Sequence, residues 1–213
     1  MLNPKPRLFM KKLTVFLLLI STFAFSQSEK KQIAEIKKFQ KELNDGYTNK
    51  KETPLRGDNY TKFTKHPFFP IDLKYRIKAQ FAKTKNAVPF DLPTSSGKTK
   101  PYKEYGKATF ALNGVTYILS IYQSLDLVKT PGYEDYLFLP FRDETNGTDT
   151  YGGGKYLDLR IPKGKEIVID FNQSYQPYCA YNAYDYSCPT VPEENFLPVK
   201  IEAGVKYEDV YHH

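Results

Sequence analysis

Histidine is scarce in this chain, and cysteine and tryptophan are scarcer still: three histidines, two cysteines and no tryptophan in 213 residues. Two of the histidines, His212 and His213, close the sequence, which leaves His66 alone in its interior. A structural zinc site takes four ligands drawn mainly from cysteine and histidine. Cys179 and Cys188 lack the two further partners they would need, so no metal site and no cofactor is expected. A serine triad needs a histidine beside its nucleophile, and none can be assembled around His66, which reads as a structural residue next to Pro67. A long apolar run is also missing. Leu13 to Ile20 is continuous but falls short of the about 20 residues that span a bilayer, and no cysteine lies near residue 26 to carry a lipid. A phosphate loop is missing too: Gly152-Gly153-Gly154-Lys155 lacks the Walker spacing and the Ser or Thr after the lysine, and it leads into a strand pattern. A bulge, or a close approach of bare backbone to a neighbour, is the expected use of those glycines.

What the short apolar run does fit is an export signal. Lys11 and Lys12 precede it, and Ala24-Phe25-Ser26 follows it, so residues 1–26 read as a secretory leader cleaved after Ser26. The protein is therefore expected in the periplasm or outside the cell, with no stable membrane anchor after cleavage. The leader also accounts for much of the positive charge. Removing Lys5, Arg7, Lys11 and Lys12 from 31 basic residues leaves 27 against 24 acidic ones, about +3, and a balance of that size gives no support for nucleic-acid binding.

In the mature chain Ile33, Ile36, Phe39 and Leu43 recur at helical spacing, which predicts an amphipathic helix over 29–43, closed by Asn44-Asp45-Gly46. The N-terminal helical segment is bounded at 27–46, and residues 47–213 follow as one domain. Tyr75, Ile77, Ala79 and Phe81 alternate with Lys74, Arg76, Lys78 and Gln80, the pattern of a strand with one wet face. Phe90 to Gly97 reads as a loop whose Thr94, Ser95 and Ser96 form an ordinary hydroxyl-rich turn or, functionally, a cradle for an anion or a sugar. Asn113-Gly114 between two β-rich runs, 107–112 and 115–122, predicts a hairpin with a type I′ turn. A second hairpin is expected from 155–161 and 166–171, turned by Pro162 to Lys165. With strands at 136–141 and near 199–201 the count reaches about seven against one helix. The fold class is mainly β: a single-domain antiparallel barrel or sandwich with an N-terminal α-helix.

The densest chemistry lies between Pro140 and Pro198. Asp170 to Pro189 holds both cysteines and a crowd of tyrosines, whose hydroxyls need partners once they leave water. Cys179 and Cys188, nine positions apart, admit a disulfide worth about 2–3 kcal/mol on the chain-entropy model, two unpaired buried thiols, or a metal site. Arg142, Asp143, Asp158, Asp170, Glu193 and Glu194 stand among apolar or aromatic residues, where isolated charges are expensive. They form either a structural network, with Arg142 holding a carboxylate and Asn172 and Asn195 capping loops, or a ligand site.

Pro140-Phe-Arg-Asp-Glu-Thr-Asn-Gly147, Thr150-Tyr-Gly-Gly-Gly-Lys-Tyr-Leu-Asp158, Asp170-Phe-Asn, Pro177-Tyr-Cys-Ala-Tyr-Asn182, Cys188-Pro189 and Glu194-Asn195-x-Leu197 near Ala203-Gly204 together resemble the uncharacterised prokaryotic domain-of-unknown-function family 1684. The resemblance runs over roughly 63–204 and implies a single domain. It carries no established activity, so no catalytic residue follows from it. Lys155 stands where the pattern leads one to expect arginine, which keeps the charge and loses the bidentate fork.

Two readings of the site belong to different classes. The first is an exported module binding a small polar ligand or glycan, with Arg142, Asp143, Tyr151, Lys155, Tyr156, Asp170, Asn172, Tyr175, Tyr178, Tyr181, Glu194 and Asn195 as candidate contacts. The tyrosines offer it flat faces and hydroxyls. The second is a hydrolase with Asp143, Asp170 or Glu194 in acid–base roles. A structural or assembly protein without a small ligand is a further alternative, since tyrosines also mark protein interfaces. The oligomeric state is open.

Overall fold

The structure is a computed structural model that describes residues 6–208, 210 and 211. Residues 1–5, the side chains of 6–26 with the apolar run of the expected leader, and the His212-His213 pair lie outside the described residues. Helix α1 spans Pro6–Thr48. It begins well before Glu29 and continues two residues past Gly46, although a glycine inside a helix costs about 1 kcal/mol relative to alanine. Its final turn is held by Tyr47, which is buried against Leu55, Ala180 and Tyr181. Further up, Ile36 is fully buried, and Glu35 pairs with Arg76 at 2.9 Å. A short helix, α2, follows at Gly57–Lys62.

The rest is β. The strands are β1 (Arg76–Lys83), β2 (Phe90–Pro93), β3 (Thr99–Leu112), β4 (Val115–Ser124), β5 (Tyr136–Asp143), β6 (Lys155–Arg160), β7 (Glu166–Asp170) and β8 (Phe196–Leu197). They form one sheet in the order β6-β5-β4-β3-β1-β7, with β2 on β3 and β8 beside β5. Every pairing along the main path is antiparallel, and β8 alone runs parallel to its neighbour. The fold is mainly β with an N-terminal helix, as the sequence predicts, and the sheet curls into a half-barrel. Asn113 (φ 52°) and Gly114 (φ 79°) make the expected tight turn, with Leu112 opposite Val115. Phe90 to Pro93, read as loop, is strand: it pairs with Thr99 to Tyr102.

The second expected hairpin does not form. β6 pairs with β5 and β7 with β1, so the two strands that Pro162 to Lys165 connect lie at opposite ends of the sheet. Their alternation identifies both as strands; alternation says nothing about which strand is the partner. The short connection explains the curl. Six flat strands would hold β6 and β7 roughly 24 Å apart, while the chain from Arg160 to Glu166 reaches at most about 20 Å. The edges are therefore drawn together, and Tyr175, just beyond β7, stitches them. Its N–H donates to Tyr156 O (3.1 Å), and Tyr156 N–H donates to Tyr175 O (2.9 Å).

Inside the curl lies an aliphatic and phenylalanine core that includes Ile77, Ala79, Phe110, Leu119, Ile121, Leu139, Phe141, Ile169 and Phe171. On the outer face a second cluster gathers Leu92, Tyr102, Tyr122, Phe138 and Tyr156. Strand β4 consequently loses its alternation and is buried on both faces from Leu119 to Ser124. The glycine run makes the expected close approach: at Gly154, where φ is +104°, a Cβ would stand 2.5 Å from Val191 Cγ2 and 2.9 Å from Phe141 O.

Candidate functional site

A cavity of about 410 Å³ opens between α1, the sheet and the tyrosine- and cysteine-rich loop. Helix α1 contributes Phe39 and Leu43, β3 contributes Lys100, and β6 contributes Tyr156 and Asp158. The chain after β7 supplies Tyr175, Pro177, Tyr178 and the run Tyr186 to Pro189. Tyr156 and Asp158 share a face because side chains two apart on a strand point the same way.

Asp158 is the polar centre of this wall. Its Oδ1 accepts the hydroxyls of Tyr136 (2.7 Å) and Tyr175 (2.6 Å), and Oδ2 has no protein partner among the described residues. Burial, reinforced by the carboxylate charge, raises both phenols above their ordinary range, so they stay neutral donors. Burial also pushes the nearby Tyr102 up to about 12. Tyr156 donates its hydroxyl to Pro189 O, which ties the far end of the loop to β6. Tyr178 stands edge-on to Tyr186 at 5.0 Å and to Tyr47 at 5.9 Å. Lys100 makes no ion pair among the described residues.

Of the candidates, Tyr156, Tyr175, Tyr178 and Cys188 thus meet at one cavity. The others serve elsewhere. Asp143 and Lys155 are sealed in the interior as an ion pair of 2.8 Å with no exposed side-chain surface. Lys155 also donates to Ile201 O (2.9 Å), and Asp143 Oδ1 accepts the N–H groups of Thr145 (2.8 Å) and Ile201 (3.2 Å). Burial pulls Lys155 below its usual value, and the Asp143 charge works against that pull. Asp170 takes Arg76 (2.6 Å) and caps Asn172 N (3.1 Å), while Asn172 grips the backbone of Asp72 through two bonds of 3.0 Å. The carboxylate-holding arginine is therefore Arg76; Arg142 makes no ion pair among the described residues, and its Nε is buried without a partner. Tyr181 packs with Tyr47 and His66 under α1, and Tyr151 meets Tyr207 at 5.3 Å. Glu194 accepts the Tyr122 hydroxyl at 2.7 Å.

Asn195 is fully buried and joins two strands. It accepts from Ser120 N (2.8 Å) and donates to Ser120 O (2.8 Å) and Pro140 O (2.7 Å). Replacing it by alanine strands these groups and is expected to lower stability by about 2 kcal/mol. Urea unfolding checks this, and a change below about 0.5 kcal/mol would contradict it.

Both cysteines are free thiols in the structure and are not bridged. Cys188 Sγ accepts the backbone N–H of Cys179 at 3.2 Å. The Thr94 to Ser96 hydroxyls, read as a turn or an anion cradle, engage the same loop: Ser187 Oγ donates to Thr94 Oγ1 (2.6 Å), and Cys188 N–H donates to Ser95 Oγ (3.1 Å). No cluster of three or more His, Cys, Asp or Glu able to hold a metal ion occurs among the described residues.

Asp158 was legible in sequence only as an embedded charge; its place two residues after Tyr156 in a strand was the available signal. Lys100, Phe39 and Leu43 carried none, because they reach the cavity from elements remote in sequence.

No curated protein matches this chain. It is similar to the solution NMR structure of an uncharacterized protein of Haloarcula marismortui, with 28% identity and a TM-score of 0.68, over 87% of this chain and 99% of that one. The family model described as "Protein of unknown function (DUF1684)" matches residues 61–206, most of the chain and all the strands, and the chain belongs to that family.

Proposed function

We propose that this protein is an exported binding module that takes a small polar ligand, such as a sugar, in the tyrosine-lined cavity beside α1. One observation carries the reading. Asp158 is oriented by two phenol donors on a single oxygen, which leaves Oδ2 to accept from a ligand at the wall of a mainly apolar and aromatic cavity that also holds Lys100 and Ser187. A cavity of about 410 Å³ lies within the roughly 300–1,000 Å³ typical of small-molecule sites, and a few placed polar groups among aromatic faces is their usual chemistry. Export rests on the basic, apolar and small-residue order of residues 1–26.

The hydrolase reading has no comparable support. Asp143, Asp170 and Glu194 are engaged separately by Lys155, Arg76 and Tyr122.

A thermal-shift screen against mono- and disaccharides, followed by titration calorimetry, tests the binding reading. At a hundredfold excess over its dissociation constant, a true ligand adds about 2.7 kcal/mol of stability. Asp158→Asn is expected to weaken binding of the best sugar at least tenfold while the melting midpoint of the free protein moves little. No rise with any sugar, or unchanged affinity in Asp158→Asn, would refute the site. Export is checked by expressing the full chain in a bacterial host; a mature mass beginning at Gln27 supports it, and an intact leader in the cytosol opposes it.

A further inference from the structure

We infer that Cys188 is a nucleophilic thiol presented to the cavity and Cys179 its resolving partner, so that the pair exchanges electrons with a small disulfide entering there. The inference needs the cavity as an access route and is independent of sugar binding.

The geometry separates the two sulphurs by exposure. Cys188 is partly exposed and lines the cavity, whereas Cys179 is 5% exposed and absent from its walls. The two are held in register from both sides. Cys179 N–H donates to Cys188 Sγ, and Cys188 is fixed to the neighbouring turn through Ser95, whose N–H donates to Cys188 O (2.8 Å) and whose hydroxyl accepts from Cys188 N. A backbone N–H aimed at a sulphur favours negative charge on it. The Cys179 side chain and burial nevertheless raise the Cys188 thiol above its usual value, and the Cys179 N–H and Lys100, on the same cavity wall, only act against that rise.

The two thiols are also coupled electrostatically. The Cys188 side chain is the main cause that brings Cys179 down to about 7, so the pair releases its first proton near neutral pH while Cys188 itself is held up. One negative charge is then shared by two sulphurs, and the titration belongs to the pair. Thiolate next to a second thiol at a partly exposed position is the arrangement that makes cysteine reactive.

The exchange balances as follows. In the singly deprotonated pair Cys179 takes the Cys188 proton as the Cys188 sulphur attacks one sulphur of a disulfide RSSR, forming the mixed disulfide Cys188–S–S–R and expelling RS⁻, which can then accept the Cys179 proton. Cys179, deprotonated, then attacks Cys188 Sγ, closing the intramolecular disulfide and expelling the second RS⁻. Two cysteine thiols are oxidised, one RSSR is reduced to two RSH after protonation, and two electrons are transferred.

Oxidised glutathione is a suitable probe. The full-length protein is incubated with it, and intact mass and free-thiol content are followed with time. The wild type is expected to lose two hydrogens and keep no glutathione. Cys179→Ser is expected to retain one glutathione on Cys188. Cys188→Ser is expected to react at least tenfold more slowly than Cys179→Ser in native buffer, and at the same rate in denaturing urea, which separates an effect of the fold from one of the thiol itself. Two persistent free thiols in the wild type, glutathione retained by the wild type without ring closure, or equal native rates for the two variants would each overturn the assignment.

Discussion

Replacing Lys155 by methionine is expected to cost about 3–5 kcal/mol of folding free energy, the largest single-residue effect foreseen outside the apolar core. Methionine matches the length of the lysine stem, so little packing is lost. What remains is the Asp143 carboxylate, with no exposed surface and no counter-ion. Among the described residues the ammonium at 2.8 Å is the sole partner of its Oδ2, an ion pair and not an aligned hydrogen bond, and no other cation there pairs with it. The double variant Asp143→Asn with Lys155→Met is expected to recover most of the loss, because an amide oxygen can still accept from Thr145 and Ile201 while carrying no charge. Equilibrium urea unfolding of the wild type and the two variants measures both effects. A single variant within about 1 kcal/mol of the wild type would show that the pair is not what holds the 143–155 loop.

Acidification is expected to destabilise the protein through His66. The imidazole is 2% exposed, packed edge-on against Tyr47, Phe63 and Tyr181, and its Nε2 has no hydrogen-bond partner among the described residues. Burial therefore disfavours the charged ring and lowers His66 from 6.5 to about 4. The sign follows from proton counts. Between these values the unfolded chain binds a proton that the folded chain refuses, so stability falls as pH drops from 6.5 to about 4 and this contribution is constant outside that window. A separation of that size corresponds to on the order of 3 kcal/mol. Unfolding free energies at pH 7, 5 and 4 should show the loss in the wild type and a smaller one in His66→Phe, whose ring keeps the aromatic contacts and cannot charge. Carboxylate titration affects both proteins and cancels in the difference. Equal losses in the two would mean that His66 titrates normally in the folded state.

How far the site was legible follows from the same physics. Tyr156, Tyr175, Tyr178 and Cys188 were recognisable because polar aromatics and cysteines packed closely in sequence must find partners. The candidates that lie away from the cavity have one feature in common. Asp143, Lys155, Asp170 and Asn195 look functional in a string because buried charge and amide groups demand explanation, and whether another residue of the chain or a ligand satisfies them depends on contacts far away. Lys155 meets Ile201, Asp170 meets Arg76, and Asn195 meets Ser120 and Pro140. Each of these links joins residues distant in sequence. Lys100, Phe39 and Leu43 reach the cavity wall for the same reason, through contacts remote in sequence.

The sequence by itself determined the mainly β class, the strand faces, the Asn113-Gly114 turn, the amphipathic helix and the tight backbone approach at Gly154, since each follows from local periodicity or from a dihedral demand satisfied within a few residues. Tertiary structure alone decided the pairing of β6 with β5 and of β7 with β1, the curl that brings Tyr175 onto Tyr156, and the lodging of α1 against the cysteine loop. Pairing and docking are settled by which buried faces and backbone groups satisfy one another across the whole chain. A period of two identifies a strand and its wet side, but every antiparallel neighbour presents the same ladder, and the short reach from Arg160 to Glu166 acts only once the sheet exists.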